Sequence, residues 1–398
     1  MMKKLIGILC VSLAGPVLPA MAATGLEGVS ISGFLTAGAT YADKQLLPTT
    51  KAVSQDGTIE NTPGFTSDSR LGLQVSAKVN QDISVTGQLL AKAREDNSNV
   101  KAEWAFVSYR VNEPISLRAG KIKFPTFLIS DYYEVGYAYP WIRPPQEVYS
   151  SNPITTLNGV DVLARFRLGD MTLLFQPYYG VSRGAKALVP QEVIGLTPGV
   201  TACTPGCTTF PAQPGTVAYT DFTADALHGF NLSLSSDIFT VRYGALQTKV
   251  NASAFGVFQD TAKFSSAGVT VDWHNVVLYS EFFKREIDGT ANLAFPNQKG
   301  SYATWGYRFG KWLPTFTAAR IGDNHNPKNL GGTPLKQTSK TLGLRYEIGS
   351  GAALKFEAQR VTPEKGTRGL LISNPNGTGA KKPGDHVMIY GMALDVVF

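Results

Sequence analysis

Runs of about ten residues in which apolar and polar side chains alternate, each closed by turn-forming residues, dominate the sequence from residue 27 onward. Successive side chains of a strand point to opposite faces, so a period of two marks strands with one apolar and one polar face. Leu71, Leu73, Val75, Ala77 and Val79 fall on one side, and Arg70, Gln74, Ser76 and Lys78 on the other. Leu342, Leu344, Tyr346 and Ile348 alternate with Thr341, Gly343, Arg345 and Glu347 in the same way. The pattern places strands near 27–42, 69–79, 83–93, 101–111, 115–123, 157–168, 171–181 and 226–236. It continues near 238–248, 261–272, 275–286, 300–309, 313–321, 337–348, 352–362 and 385–398. That makes about 16 strands, an even number, as a closed antiparallel bacterial barrel requires.

The connections alternate in length. Asn80-Gln81-Asp82, Asn112-Glu113-Pro114, Gly169-Asp170, Asp237, His274-Asn275, Lys311-Trp312 and Gly349-Ser350-Gly351 are tight turns. Between them stand the mostly longer stretches 43–68, 94–100, 124–156, 182–225, 249–260, 287–299, 322–336 and 363–384. One rim then carries tight turns and the other large loops, the asymmetry of periplasmic turns and extracellular loops in outer-membrane barrels. A soluble sandwich has no reason to segregate its loops. Tyr41, Trp104, Tyr109, Trp273, Trp305, Tyr307 and Trp312, near strand ends, fit interfacial girdles. The alternative for each is a packed soluble core.

Lys3 and Lys4, the apolar run Leu5 to Leu18 and the small-x-small Ala20-Met21-Ala22 read as a signal peptide over 1–22, leaving a mature chain 23–398. No later segment reaches the roughly 18 apolar residues of a membrane helix. Mean hydropathy is near zero, as expected where lipid-facing and lumen-facing residues alternate. Losing Lys3 and Lys4 lowers the formal charge from +7 to +5. No basic block tracks a helix, so nucleic acid is not an expected partner. Cys203 and Cys207, in Cys-Thr-Pro-Gly-Cys, suit a disulfide clip in an oxidising compartment, metal binding being the lesser reading. No metal or other cofactor is expected.

Tyr390, Met392, Leu394, Val396 and Phe398 place a closing strand's apolar side chains on one face. This resembles the C-terminal signal read by the barrel-assembly machinery. Asp68-Ser69-Arg70-Leu71-Gly72-Leu73-Gln74, Leu117-Arg118-Ala119-Gly120-Lys121 and Gly136-Tyr137-Ala138-Tyr139-Pro140-Trp141-Ile142-Arg143-Pro144-Pro145-Gln146-Glu147 resemble a group of proteobacterial porin-like proteins without defined substrates. The whole mature chain is similar in architecture to sixteen-stranded general porins. The resemblance implies an all-β transmembrane antiparallel barrel in the outer membrane, among lipids and lipopolysaccharide, commonly a homotrimer. It implies passage of small hydrophilic solutes through a water-filled channel, and a loop after strand 5 folded inward to narrow it.

Here that loop is 124–156. Its aromatic content, including Tyr132, Tyr137 and Trp141, argues against disorder. It carries Asp131, Glu134 and Glu147 against Arg143. Arg70, Arg118, Lys121, Arg165 and Arg167 are the nearest basic positions assigned to the wall. Acid on the loop facing base on the wall sets up a transverse field that selects permeants by sign, here with a mild preference for anions. The alternative is a solvated wall without selectivity. The rings either pin the loop to the wall or form a stacking track for solutes. An enzyme requires a nucleophile with an activating base, and His228, His274, His325 and His386 have no such partner at telling spacing. A substrate-specific porin with a lumenal binding site, and a non-conducting barrel serving adhesion or structure, remain open alternatives on sequence. For adhesion, loop 182–225 is the candidate surface.

Overall fold

The computed structural model describes residues 28–43, 46–48, 59, 62–93, 99–190, 217–252, 257–324, 335–364, 369–373 and 386–398. The expected signal peptide, the Cys203–Cys207 pair and His325 lie outside the described residues.

Sixteen strands close into one barrel: β1 (Val29–Ala42), β2 (Arg70–Lys78), β3 (Ile83–Lys92), β4 (Asn99–Arg110), β5 (Ile115–Lys123), β6 (Thr156–Leu168), β7 (Met171–Pro190), β8 (Val217–Ser235), β9 (Phe239–Ala252), β10 (Val257–Trp273), β11 (Val276–Ile287), β12 (Gln298–Tyr307), β13 (Trp312–Asp323), β14 (Gln337–Gly349), β15 (Ala352–Pro363) and β16 (Val387–Val397). Each pairs antiparallel with its chain neighbour, and β1 closes on β16 in the register Phe34↔Val397 to Ala42↔Ile389. The seam extends to Phe398, whose backbone exchanges hydrogen bonds of 2.7 and 2.9 Å with Gly33. Closure removes every unpaired strand edge, which a bilayer would otherwise penalise. Two three-residue strands, Leu46–Pro48 and Leu371–Ser373, pair outside the barrel. Among the described residues no helix is long and apolar enough to cross a membrane.

Every expected strand is present, and the tight turns gather at one rim. Gly169 (φ 61) and His274 (φ 54) take the left-handed conformation that such turns require. The stretch read as a loop over 182–225 is a loop only in part. β7 runs on to Pro190 and β8 starts at Val217, so the ladder continues past two register shifts, Gly180/Ser182 and Ser182/Ala185. Turn-forming Gly and Pro hid that extension, because bulges absorb residues that break strict alternation.

The two faces are chemically opposite. Leu71, Leu73, Val75, Val107, Phe282, Trp305, Phe316, Leu342 and Phe356 are exposed on the outside, while Thr36, Gln88, Asp161, Glu281 and Lys355 are buried inside. This inverts a soluble protein and matches a barrel with lipid outside and a polar interior. Tyr41, Tyr109, Trp273, Trp305 and Trp312 are exposed, as girdle residues should be. Trp104 is not one of them: it shares the inward parity of Phe106 and packs with it and with Ile122.

Close packing between β1 and β2 relies on Gly72, which pairs with Phe34 and lies beneath its ring. A Cβ there would run into the ring. Gly72→Val should therefore destabilise the barrel by about 1–3 kcal/mol, read as a lower temperature for loss of the compact, heat-modifiable form on gels. An unchanged transition temperature would contradict the packing.

Candidate functional site: a loop tethered inside the barrel

Residues 124–155 leave β5 and fold into the barrel before β6 begins. They contain only two 3-10 turns (Ser130–Tyr132 and Gly136–Ala138) and a one-turn helix, α1 (Gln146–Tyr149). Phe124, Ile129, Tyr139, Trp141, Val148 and Tyr149 are almost completely buried, and the main apolar cluster of the molecule forms around them. Their partners are inward-facing residues of the wall. Trp141 meets Tyr302 edge-on at 5.6 Å and Tyr279 at 4.9 Å; Phe127 meets Phe264 edge-on at 5.4 Å. These geometries suit ring quadrupoles. These rings pin the loop, and being buried they do not form an open stacking track.

A loop with so little regular structure must find partners for its backbone polar groups, and the wall supplies them as charged side chains. Lys355 Nζ donates to the carbonyls of Gly136 (2.5 Å) and Trp141 (2.8 Å) while paired with Asp395 at 2.8 Å. Arg345 donates to the carbonyls of Tyr137 and Tyr139 and lies over the Tyr137 ring at 4.6 Å. Arg285 reaches the Ser151 carbonyl at 2.7 Å, Ser266 Oγ the Thr126 carbonyl at 2.6 Å, and Arg242 the Pro125 carbonyl. Glu357 accepts from the Ile142 amide at 2.8 Å. Glu281 holds both limbs of the loop, accepting from the Leu128 amide and from the Tyr149 hydroxyl, each at 2.9 Å. Trp141 Nε1 donates to Thr304 (3.0 Å) and Thr317 (3.1 Å). Charge-assisted bonds of this kind are roughly twice as strong as neutral ones.

The candidate residues divide into two groups. Glu134 is buried, pairs with Lys92 at 3.0 Å and stands 4.0 Å from Arg70. Arg70 itself donates to the Glu134 carbonyl and the Tyr139 hydroxyl. Arg143 is buried against Asp68 at 2.7 Å. Glu147 is fully buried and accepts from Gln337 Nε2 at 2.7 Å; burial pushes its carboxyl above the ordinary carboxylate range. Tyr137 is half-buried and donates to Glu347 at 3.1 Å; Tyr132 is half-buried against the main cluster. These residues fasten the loop, so Glu134, Arg143 and Glu147 are not charges open to a permeant. Lys121 pairs across the ladder with Ala105, on the outward parity of Val107 and Ala119, and donates to the Ala102 carbonyl. Lys121 lies three residues after the inward-facing Arg118, so regular alternation itself turns it to the outward face.

The second group stays beside open space. Asp131 is exposed on the loop, within electrostatic reach of Arg118 and Arg165. Arg165 and Arg167 share the inward parity of Asp161 on β6, Arg165 half-buried and Arg167 exposed. Arg118 makes a two-pronged pair with Asp161. From there a polar chain crosses the wall: Gln176 to Asp161 at 2.8 Å, Asn231 to Gln176 at 3.3 Å, Arg242 to Asn231 at 2.5 Å. The sequence reading missed the wall carboxylates Asp161, Glu281, Glu357 and Asp395. Their signal was inward parity on otherwise regular strands, Asp161 being four residues from Arg165. Among the described residues no cluster of His, Cys, Asp and Glu is built to hold a metal ion.

A closed antiparallel sixteen-stranded barrel with a polar interior and a loop folded into it is the architecture of the outer-membrane porins. No protein-family model matches the sequence, and no curated protein matches it either. Among solved structures, the in-vitro folded OmpT of Vibrio cholerae, an outer membrane protein, is similar over 95% of this chain and 100% of its own, with a TM-score of 0.56 at 13% identity. An anion-selective porin from Comamonas acidovorans covers 93% of this chain and 99% of its own, with a TM-score of 0.55 at 12% identity. The outer membrane channel DcaP of Acinetobacter baumannii covers 93% and 97%, with a TM-score of 0.53 at 11% identity. The chain shares their fold.

Because Glu281 bridges both limbs, Glu281→Ala strands the Leu128 amide and the Tyr149 hydroxyl, at about 1–3 kcal/mol each. The variant should expose the loop to protease added to the folded barrel, whereas Glu281→Gln should retain most of the protection. Equal cleavage of wild type and Glu281→Ala would refute the clamp.

Proposed function

We propose that the chain is an outer-membrane porin: a water-filled channel through which small hydrophilic solutes diffuse passively, narrowed by residues 124–155. One observation carries this reading, namely the tethered loop inside a closed barrel that is polar within and apolar without. An unsupported lumen would need no such network, and a soluble barrel would not expose Leu, Phe and Trp on its outside. Export through the leader 1–22, assembly through the Phe398 strand, a homotrimeric state and a place among outer-membrane lipids and lipopolysaccharide belong to the same reading. So does the absence of enzymatic chemistry, and so does the Cys203–Cys207 clip.

Selectivity is set where the loop leaves space. Asp131 stands on one side, and Arg118, Arg165 and Arg167 on the other. Arg118 is neutralised by Asp161, whereas among the described residues no carboxylate pairs with Arg165 or Arg167. The excess is basic, so the channel prefers anions mildly. Solution screens charges over about 8–10 Å, which keeps the preference modest in a wet pore.

Reconstituted in planar bilayers, the protein should give steady single-channel steps and a reversal potential displaced toward anions. Arg165→Glu with Arg167→Glu should move the anion-to-cation permeability ratio by about twofold or more toward cations. A folded protein without conductance steps would favour a non-conducting barrel. Unchanged selectivity in the variant would sink the charge assignment.

A further inference from the structure

One residue from each of five consecutive strands joins a single chain of hydrogen bonds on the wall: Arg118 on β5, Asp161 on β6, Gln176 on β7, Asn231 on β8 and Arg242 on β9. All five side chains are buried, so each polar end depends on its neighbour in the chain. The ladder register builds it, with Arg118 opposite Asp161 and Gln176 opposite Asn231. The order of donors is fixed from both ends. A guanidinium only donates and a carboxylate only accepts, whereas an amide donates at one end and accepts at the other. Arg242 Nε donates to Asn231 Oδ1 at 2.5 Å, which turns Asn231 Nδ2 to Gln176 Oε1 at 3.3 Å. Gln176 Nε2 is then left for Asp161 Oδ2, at 2.8 Å. Arg118 meets Asp161 from the other side with both prongs.

One carboxylate therefore serves two guanidiniums, Arg118 directly and Arg242 through two aligned amides. Among the described residues no carboxylate bonds to Arg242 itself, and its Nη2 meets the Pro125 carbonyl where the loop leaves β5. Such a chain strengthens as its members polarise one another. Its position bears on the passage. The pairs Asp161↔Tyr178 and Ala164↔Phe175 set Gln176 between the levels of Asp161 and Arg165, which share the inward face of β6. Asp161 is within electrostatic reach of Arg165 as well as of Arg118. The Gln176 amide thus holds Asp161 from the side on which Arg165 lies.

We propose that Gln176 and Asn231, both uncharged and buried, are positioning residues that set the charge preference of the channel. They keep Asp161 on Arg118 and away from Arg165. Arg118 is thereby silent, and Arg165 stays an open cation beside the passage. The inference rests on the channel reading above and deepens it, because it assigns the preference to two residues that carry no charge.

The test moves the carboxylate without changing the net charge. Asp161→Asn combined with Asn231→Asp reverses every donor between the two positions and places the carboxylate on Arg242 instead of Arg118. Arg118 is then unmasked, and the anion-to-cation permeability ratio, from reversal potentials in planar bilayers, should rise about twofold. Each single substitution sets donor against donor or acceptor against acceptor. Each should therefore lower the transition temperature of the heat-modifiable form, and the double variant should recover most of the loss. If the double variant yields too little folded barrel, Gln176→Met keeps every charge and frees Asp161 to turn to Arg165. It should lower the permeability ratio roughly 1.5-fold, and leave it unchanged where Arg165→Gln is already present. An unmoved ratio in the folded double variant, a transition temperature that does not recover, or a Gln176→Met effect that survives Arg165→Gln overturns the proposal. Wild type without conductance steps removes the porin reading, and this role with it, even where the recovered transition temperature upholds the chain.

Discussion

Everything in this structure depends on how a loop of little regular structure is kept inside a barrel. Each carbonyl and amide of residues 124–155 taken out of water must be paired, at a cost of about 1–3 kcal/mol if it is not. The barrel wall meets this requirement with side chains. Lys355 and Arg345 cap carbonyls from one side, Arg285 and Ser266 from another, and Glu281 gathers both limbs. Aromatic rings fill the space between these anchors, with Trp141 at the centre.

The same requirement explains why so many ionic groups are buried. Lys355, Asp395, Glu357 and Glu281 are almost fully enclosed, an arrangement that is expensive for an isolated ion and tolerable when paired and hydrogen-bonded. Most wall charges are therefore committed to holding the loop. Asp131, Arg165 and Arg167, with Arg118 behind them, stand beside the space the loop leaves. The division of labour runs around the circumference: β9 to β16, with β2 and β3, fasten the loop, and β5 and β6 line what it leaves open.

The strands and their closure were legible because period-two alternation is imposed by the pleat, and a wrong parity would put charge into lipid. The inward loop was legible through its length, its rings and a family resemblance. Individual contacts were not. Glu134, Arg143 and Glu147 read as pore charges, yet the fold buries them against Lys92, Asp68 and Gln337. Pairing partners hundreds of residues apart, such as Lys355 with Gly136, leave no local signal. Trp104 and Lys121 were misplaced although alternation already decided their faces, Trp104 sharing the inward parity of Phe106 and Lys121 the outward parity of Ala119. Asp161 and Glu281 were overlooked because attention went to bases, although their parity already turned them inward.

The claim tested most directly is that the loop lies in the lumen against β14 while the channel stays open. Tyr137 and Glu347 are joined there by a 3.1 Å hydrogen bond. With Cys203 and Cys207 replaced by serine, Tyr137→Cys and Glu347→Cys should be linked nearly completely by a short bifunctional thiol reagent in the folded barrel, and ion conductance should persist. Two reactive thiols that fail to cross-link would show that the loop is elsewhere; cross-linking that abolishes conductance would show that the loop must leave this position for the channel to open.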